Sequence, residues 1–103
     1  MTILTKENFK KEVEEHEGLV VIDLYADWCG PCRMLSRVLD ELEQENPEVK
    51  FCKINVDDER ELAMSFKVTS IPTVAFVKAN TFIDVSVGYV PKEKLAVIIE
   101  EHR

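Results

Sequence analysis

The sequence predicts an α/β fold, with a sheet whose middle is parallel and whose faces carry helices. Three observations predict it. Helix-type and strand-type segments alternate through most of the chain. One strand-type segment, LVVIDLYA, is a near-continuous apolar run, the pattern of a strand buried on both faces, and VKFCKINVD reads as a second central strand. The last two strand-type segments follow one another across a short connection, so a hairpin adds an antiparallel strand.

A short first strand is expected at Thr2–Leu4. TKENFKKEVEEHEG opens on a capping residue, Thr5, repeats apolar residues at Phe9 and Val13 and stops at Gly18, which reads as a helix. LVVIDLYA is a central strand. PCRMLSRVLDELEQEN places Met34, Leu35, Val38, Leu39 and Leu42 on one helical face, and Asn46-Pro47 ends it. VKFCKINVD is a second central strand. DERELAMSFKV is a short helix with Leu62 and Phe66 inward. PTVAFVK and TFIDVSVG form the hairpin. PKEKLAVIIEEH starts with Pro91 at a helix N-terminus and buries Leu95, Ile98 and Ile99.

The 103 residues are the size of one domain, expected to span 1–103, and no linker or repeat divides them. A chain this long buries roughly 60–70% of the surface its unfolded form exposes, so it needs neither metal nor disulfide to fold. Thirteen basic against twenty acidic residues give a net charge of −7. Such a surface repels phosphate backbones and anionic lipid, which argues against nucleic acid and membrane as partners. The apolar run Leu19–Ile22 is stopped by Asp23, far too short to span a bilayer, and the first residues carry no secretory leader pattern. The expectation is a soluble, cytoplasmic monomer. Three cysteines in such a chain are not a secreted disulfide framework.

The chemistry centres on WCGPC, Trp28 to Cys32, between the end of a strand and the start of a helix. Pro31 suits the first helical position, where its missing N–H costs nothing. Cys29 then sits at or just before the helix N-terminus, where unpaired N–H groups and the helix dipole favour a thiolate, the nucleophilic form. Cys32 lies one turn inside, close enough for a disulfide. Cys29 is expected to be exposed and to attack; Cys32 is expected to be shielded and to resolve the mixed disulfide. Gly30 leaves space for an approaching chain. The pair is also half of a metal site, but a closed zinc site needs four ligands, and Cys52, His16 and His102 have no paired spacing. Cys52 reads as packing.

Asp23 interrupts a buried run six residues before Cys29. A lone acid in a strand is often a solvated edge residue. A desolvated one holds a proton near neutral pH and is a base suited to deprotonating Cys32. Lys53, on the neighbouring strand, is either a solvated residue or a support for that acid.

DLYADWCGPC, KINVDDE, IPTVAFVK and VGYVPKEKL resemble, in order and spacing, segments of the thioredoxin family, over nearly the whole chain. The resemblance implies a central five-stranded mixed sheet flanked by four helices. It implies Cys29 as the attacking thiol, Cys32 as the resolving one and Asp23 as the buried acid below them, the family being a standard example of such cysteines. It also implies a cis Ile71-Pro72 bond facing the cysteines. There, backbone groups pair with an extended substrate segment, in a groove of Trp28, Gly30, Pro31, Ile71, Pro72 and Gly88. The implied activity is reduction of disulfides in target proteins, with electrons from an NADPH-dependent thioredoxin reductase. Gly30-Pro31 adds no positive charge beside Cys29, which fits a reducing pair. With glycines only at 18, 30 and 88, there is no GxGxxG, and no cofactor is expected on this chain. The alternative is a thioredoxin-fold binding or chaperone subunit whose redox state is irrelevant. The chain departs from the family pattern at Arg37 (often a kinking Pro), Ala79-Asn80 (often Asn-Gly), Tyr25 (often Trp) and Tyr89 (usually small).

Overall fold

Period-two alternation decides how the central strand packs. In the computed structural model, which describes residues 1–103, β2 (Leu19–Tyr25) is buried along its length except at Tyr25. Leu19 and Val21 point to one face of the sheet; Val20, Ile22 and Leu24 point to the other. Both faces must therefore be covered, and the crossovers that parallel pairing demands supply the cover.

The strand order is β1-β3-β2-β4-β5. β1 (Thr2–Ile3) and β2 both pair parallel with β3 (Lys50–Asn55). β4 (Thr73–Lys78) runs antiparallel to β2, and β5 (Thr81–Val87) antiparallel to β4. This is the five-stranded mixed sheet expected. α1 (Gly30–Glu45) and α3 (Lys92–His102) cover one face, burying Leu35, Leu39, Leu42, Leu95 and Ile99 against Val21, Phe51 and Phe76. A π-helical turn (Lys10–Glu14) and α2 (Arg60–Ser65) cover the other, with Val13 and Ala63 against Ile22, Cys52 and Ile54. Leu62 and Phe66 pack on that cluster as expected.

The structure corrects some local readings. The first helix is one widened turn: Glu15 N–H donates to the Lys10 carbonyl five residues back, at 2.9 Å. Its entry is capped as predicted. Asn8 N–H donates to Thr5 Oγ1 at 3.2 Å, and Thr5 N–H donates to Asn8 Oδ1 at 2.8 Å, a reciprocal box. Met34 is exposed, because Leu35, Leu39 and Leu42 set the inward stripe and Met34 lies about 100° round the helix from it. α1 passes through Arg37 without a break and ends at Asn46, whose Nδ2–H donates to the Leu42 carbonyl at 2.9 Å. Pro91 caps α3 rather than opening it.

The hairpin turn is the two residues Ala79 and Asn80, with φ of 51° and 59°. Positive φ at both positions matches the twist of the flanking strands, and Asn adopts it readily. Ala does not, because its Cβ crowds the following carbonyl oxygen. Ala79→Asn is therefore expected to stabilise the protein by about 0.5–1 kcal/mol, seen as a higher urea midpoint with an unchanged slope.

Candidate active site

β2 ends at Tyr25 and α1 begins at Gly30, so a few residues turn the chain from strand to helix. Cys29 occupies the N-cap of α1 in extended conformation, φ −94° and ψ 111°. Its Sγ accepts the Cys32 N–H at 3.2 Å, the role a Ser or Asp oxygen plays in an ordinary cap. The free N–H groups of the first turn and the helix dipole thus converge on this sulfur and favour its thiolate when the pair is reduced. Pro31 falls in the same first turn, where an N–H has no helical partner.

Cys29 and Cys32 are joined as a disulfide, with Cα atoms 5.2 Å apart. They cluster with Ala26, and Tyr25, Val56 and Ile71 pack around them. The expectation that Cys29 is exposed is corrected: it is 6% exposed and Cys32 2%. Tyr25, Val56 and Ile71 pack around the joined pair and leave Cys29 only slightly more open than its partner.

The neighbouring surface is open. Trp28 is 71% exposed, so it is not a core aromatic. Its indole N–H donates to Asp57 Oδ2 at 2.9 Å. A groove of about 380 Å³ runs beside it, lined by Trp28, Val56, Ala63, Met64, Val68 and Ile71, with Arg60 among its few polar residues. A Cβ built on Gly30 would meet nothing within 4 Å. Ile71-Pro72 is cis. The Pro72 carbonyl accepts the Gly88 N–H at 2.7 Å, and Gly88 needs its lack of a side chain for φ of +83°. Of the residues anticipated for the groove, Trp28 and Ile71 line it; Gly30, Pro31, Pro72 and Gly88 lie outside this lining.

Sequence reasoning missed Asn55. It is buried, its Nδ2–H donates to Asp27 Oδ2 at 3.3 Å, and its Oδ1 accepts the N–H groups of Asp57 at 2.9 Å and Asp58 at 3.3 Å. It ties the exit of β2 to the exit of β3, and Asp57 passes that restraint to Trp28. The signal was available: a polar residue closing a central strand, one residue before two acids.

Asp23 is 1% exposed, which removes the solvated-edge reading. Burial pushes its carboxyl up from 3.8 to about 7; Lys53 opposes this and Asp40 adds to it. Its Oδ1 has no hydrogen-bond partner. Lys53 is the register partner of Asp23 on β3 and is half-buried, with Nζ 5.6 Å from the centre of the Tyr25 ring. Cys52 is fully buried, its thiol pushed up to about 11 by that burial, which makes it an inert packing residue. No three His, Cys, Asp or Glu side chains converge as a metal ion would need. No helix is long and apolar enough to cross a membrane.

Comparison with known proteins decides the family. The family model described as Thioredoxin matches residues 1–101. The chain belongs to the thioredoxin family. It is 40% identical to the thioredoxin of Bacillus subtilis over 103 residues, covering 99% of each chain. It is 44% identical to that of Listeria monocytogenes over 92 residues, covering 88% of this chain and 89% of the relative. The X-ray structure of Fasciola hepatica thioredoxin superposes with a TM-score of 0.86 at 32% identity over the whole of both chains. Like its family, the chain is a thiol–disulfide oxidoreductase, a protein-disulfide reductase working through the Cys29–Cys32 pair.

The raised Asp23 fixes a pH dependence. Between about 3.8 and 7 the unfolded chain ionises this group while the folded protein keeps it protonated, so stability falls as pH climbs through that window. Above it the full cost stands; below it both states are protonated and the cost vanishes. Asp23→Asn is therefore expected to stabilise the protein at pH 8 by at most about 4 kcal/mol. At pH 3 the gain should be near zero, and denaturant unfolding at the two pH values reads the difference.

Proposed function

We propose that Cys29 is the attacking thiolate, Cys32 the resolving thiol and Asp23 the proton acceptor for Cys32. The observation that carries this reading is the Cys32 N–H on Cys29 Sγ at the helix N-terminus, which prepares one sulfur of the pair, and not the other, to bear charge. The Cys29 thiolate attacks one sulfur of a target disulfide, and the other target sulfur leaves as a thiolate and takes a proton from water. Cys32 gives its proton to Asp23, whose carboxylate is basic enough near neutral pH to accept it. The Cys32 thiolate attacks Cys29 Sγ, the second target sulfur departs, and the target leaves with two thiols. The two electrons have passed from this chain, which ends as the Cys29–Cys32 disulfide.

Targets are proteins with an accessible disulfide in an extended segment. That segment lies along Trp28, Gly30, Pro31, Ile71, Pro72 and Gly88, where the apolar groove and the cis-proline loop flank the sulfurs. Lys53 supports the acid. The oxidised pair is recharged by an NADPH-dependent thioredoxin reductase, so the protein is one step of electron transport in the cytoplasm, acting as a monomer built from a single domain, 1–103. The neutral Gly30-Pro31 spacer supports the reducing direction. The net charge of −7 supports protein rather than nucleic-acid or membrane partners.

Trapping tests the roles. Cys32→Ser incubated with cell extract is expected to hold many proteins as mixed disulfides that added reductant releases. Cys29→Ser is expected to hold none and to lose disulfide reduction entirely. Capture by Cys29→Ser equal to that by Cys32→Ser would reverse the two roles, and binding that survives loss of both thiols would replace the redox reading with a binding subunit.

A further inference from the structure

Tyr25 stands two residues after Asp23 on β2, so strand alternation directs both side chains to one face of the sheet. Lys53 is the register partner of Asp23 on β3. Its ammonium lies 5.6 Å from the centre of the Tyr25 ring, within cation–π reach. It takes part in none of the molecule's ion pairs. A lysine on a free four-carbon stem, half-buried and without a carboxylate to hold it, would otherwise turn its charge into water. The ring is the contact that keeps it.

The surroundings of Asp23 make that cation matter. β4 presents Val74 as the other register partner, an apolar side chain. α1 contributes the negative Asp40. Near Tyr25 the other charges are Asp27, Asp58 and Arg33, which lines a small cavity with the ring while its guanidinium donates to the Asp27 carbonyl; the neutral Asn55 lies beside the phenol. Lys53 is thus the only cation acting on the buried acid, against desolvation and Asp40 together.

We propose that Tyr25 is a positioning residue: its ring face holds the Lys53 ammonium beside, and not on, the Asp23 carboxyl. This rests on the reading of Asp23 as the proton acceptor. An ammonium in contact would hold the carboxylate charged and make it a weak base. An ammonium lost to solvent would leave the acid protonated through the working range. Contact would also require stripping water from both charges, so a released Lys53 goes outward. The function needs an aromatic face and not the phenol hydroxyl, and the indole this family often places here would serve equally.

The test is the carboxyl titration of Asp23, followed by NMR in the reduced, full-length protein. Tyr25→Leu is expected to raise its midpoint by about half a pH unit. Lys53→Met should raise it at least as much. Tyr25→Leu should add nothing in the Lys53→Met background, and Tyr25→Phe and Tyr25→Trp should leave it where it is. The proposal is overturned if Tyr25→Leu leaves the midpoint unmoved, lowers it, or raises it equally with and without Lys53, since the ring would then act through packing alone. Should Tyr25→Leu not fold, the Lys53 side-chain protons of the wild type decide: ring-current displacement supports the contact, and free-lysine positions overturn it. The pH–rate profile of disulfide reduction keeps the two readings apart. A moved midpoint with an unmoved profile upholds the positioning and refutes Asp23 as the base.

Discussion

The site depends on one strand being buried on both faces. β2 lies between β3 and β4, and nothing along it but its last residue reaches solvent. That rigidity fixes where the strand ends, where α1 begins, and so which residue caps the helix. Because Cys29 is that residue, the unpaired N–H groups at the start of α1 fall on a sulfur. The same strand carries Asp23 into the core. The cysteine at the helix cap and the buried acid are thus two consequences of one strand placement, and neither can be moved without shifting the sheet. The cap bond to Cys29 and the packing of Leu35, Leu39 and Leu42 hold the helix alongside the disulfide.

A carboxyl in the core with an unpartnered oxygen is a cost that packing does not require. An apolar side chain among Val21, Val74 and Phe51 would be more stable. Burial brings its protonation state near neutrality, which is what the proposed role of proton acceptor would use. Cys52 shows the contrast one strand away. It is as deeply buried, but its raised thiol is simply unreactive, because it has no attacking position and no access.

Most of the architecture was legible because its signals are periodic. The apolar run around Asp23 announced a buried strand, and the hairpin and α1 followed from a short connection between strand-type segments and from helical spacing. The misses came where periodicity is silent. The π-helical turn and the exposure of Met34 depend on how a helix sits on its neighbours, which spacing alone does not state. WCGPC was legible as a redox pair from its place between strand and helix. The low exposure of Cys29 was not, since it depends on how Ile71 and Val56 pack around the joined pair. Asp23 was ambiguous for the same reason: sequence shows that an acid interrupts a buried run, and only the covering of both faces shows that the acid is itself buried. The cis Ile71-Pro72 bond was legible solely through family resemblance, because an isolated X–Pro bond favours trans.

The groove side of the site is organised by polar residues that never face a target. The ends of parallel strands are where α/β proteins place ligands, and here two such ends, after β2 and β3, lie side by side. Each continues into an acidic loop, and two acidic loops repel. Asn55 offsets this by donating to Asp27 on one loop while accepting from the backbone of Asp57 and Asp58 on the other. Its amide is suited to the task because it donates and accepts at once, which a third carboxylate could not do. Asp57, so fixed, accepts the Trp28 N–H, and a large exposed ring is held in place although little packs over it. The apolar wall beside Cys29 is therefore a product of hydrogen bonding at the strand exits as much as of apolar packing. Removing the Asn55 amide would disturb that wall while leaving both thiols and Asp23 in place.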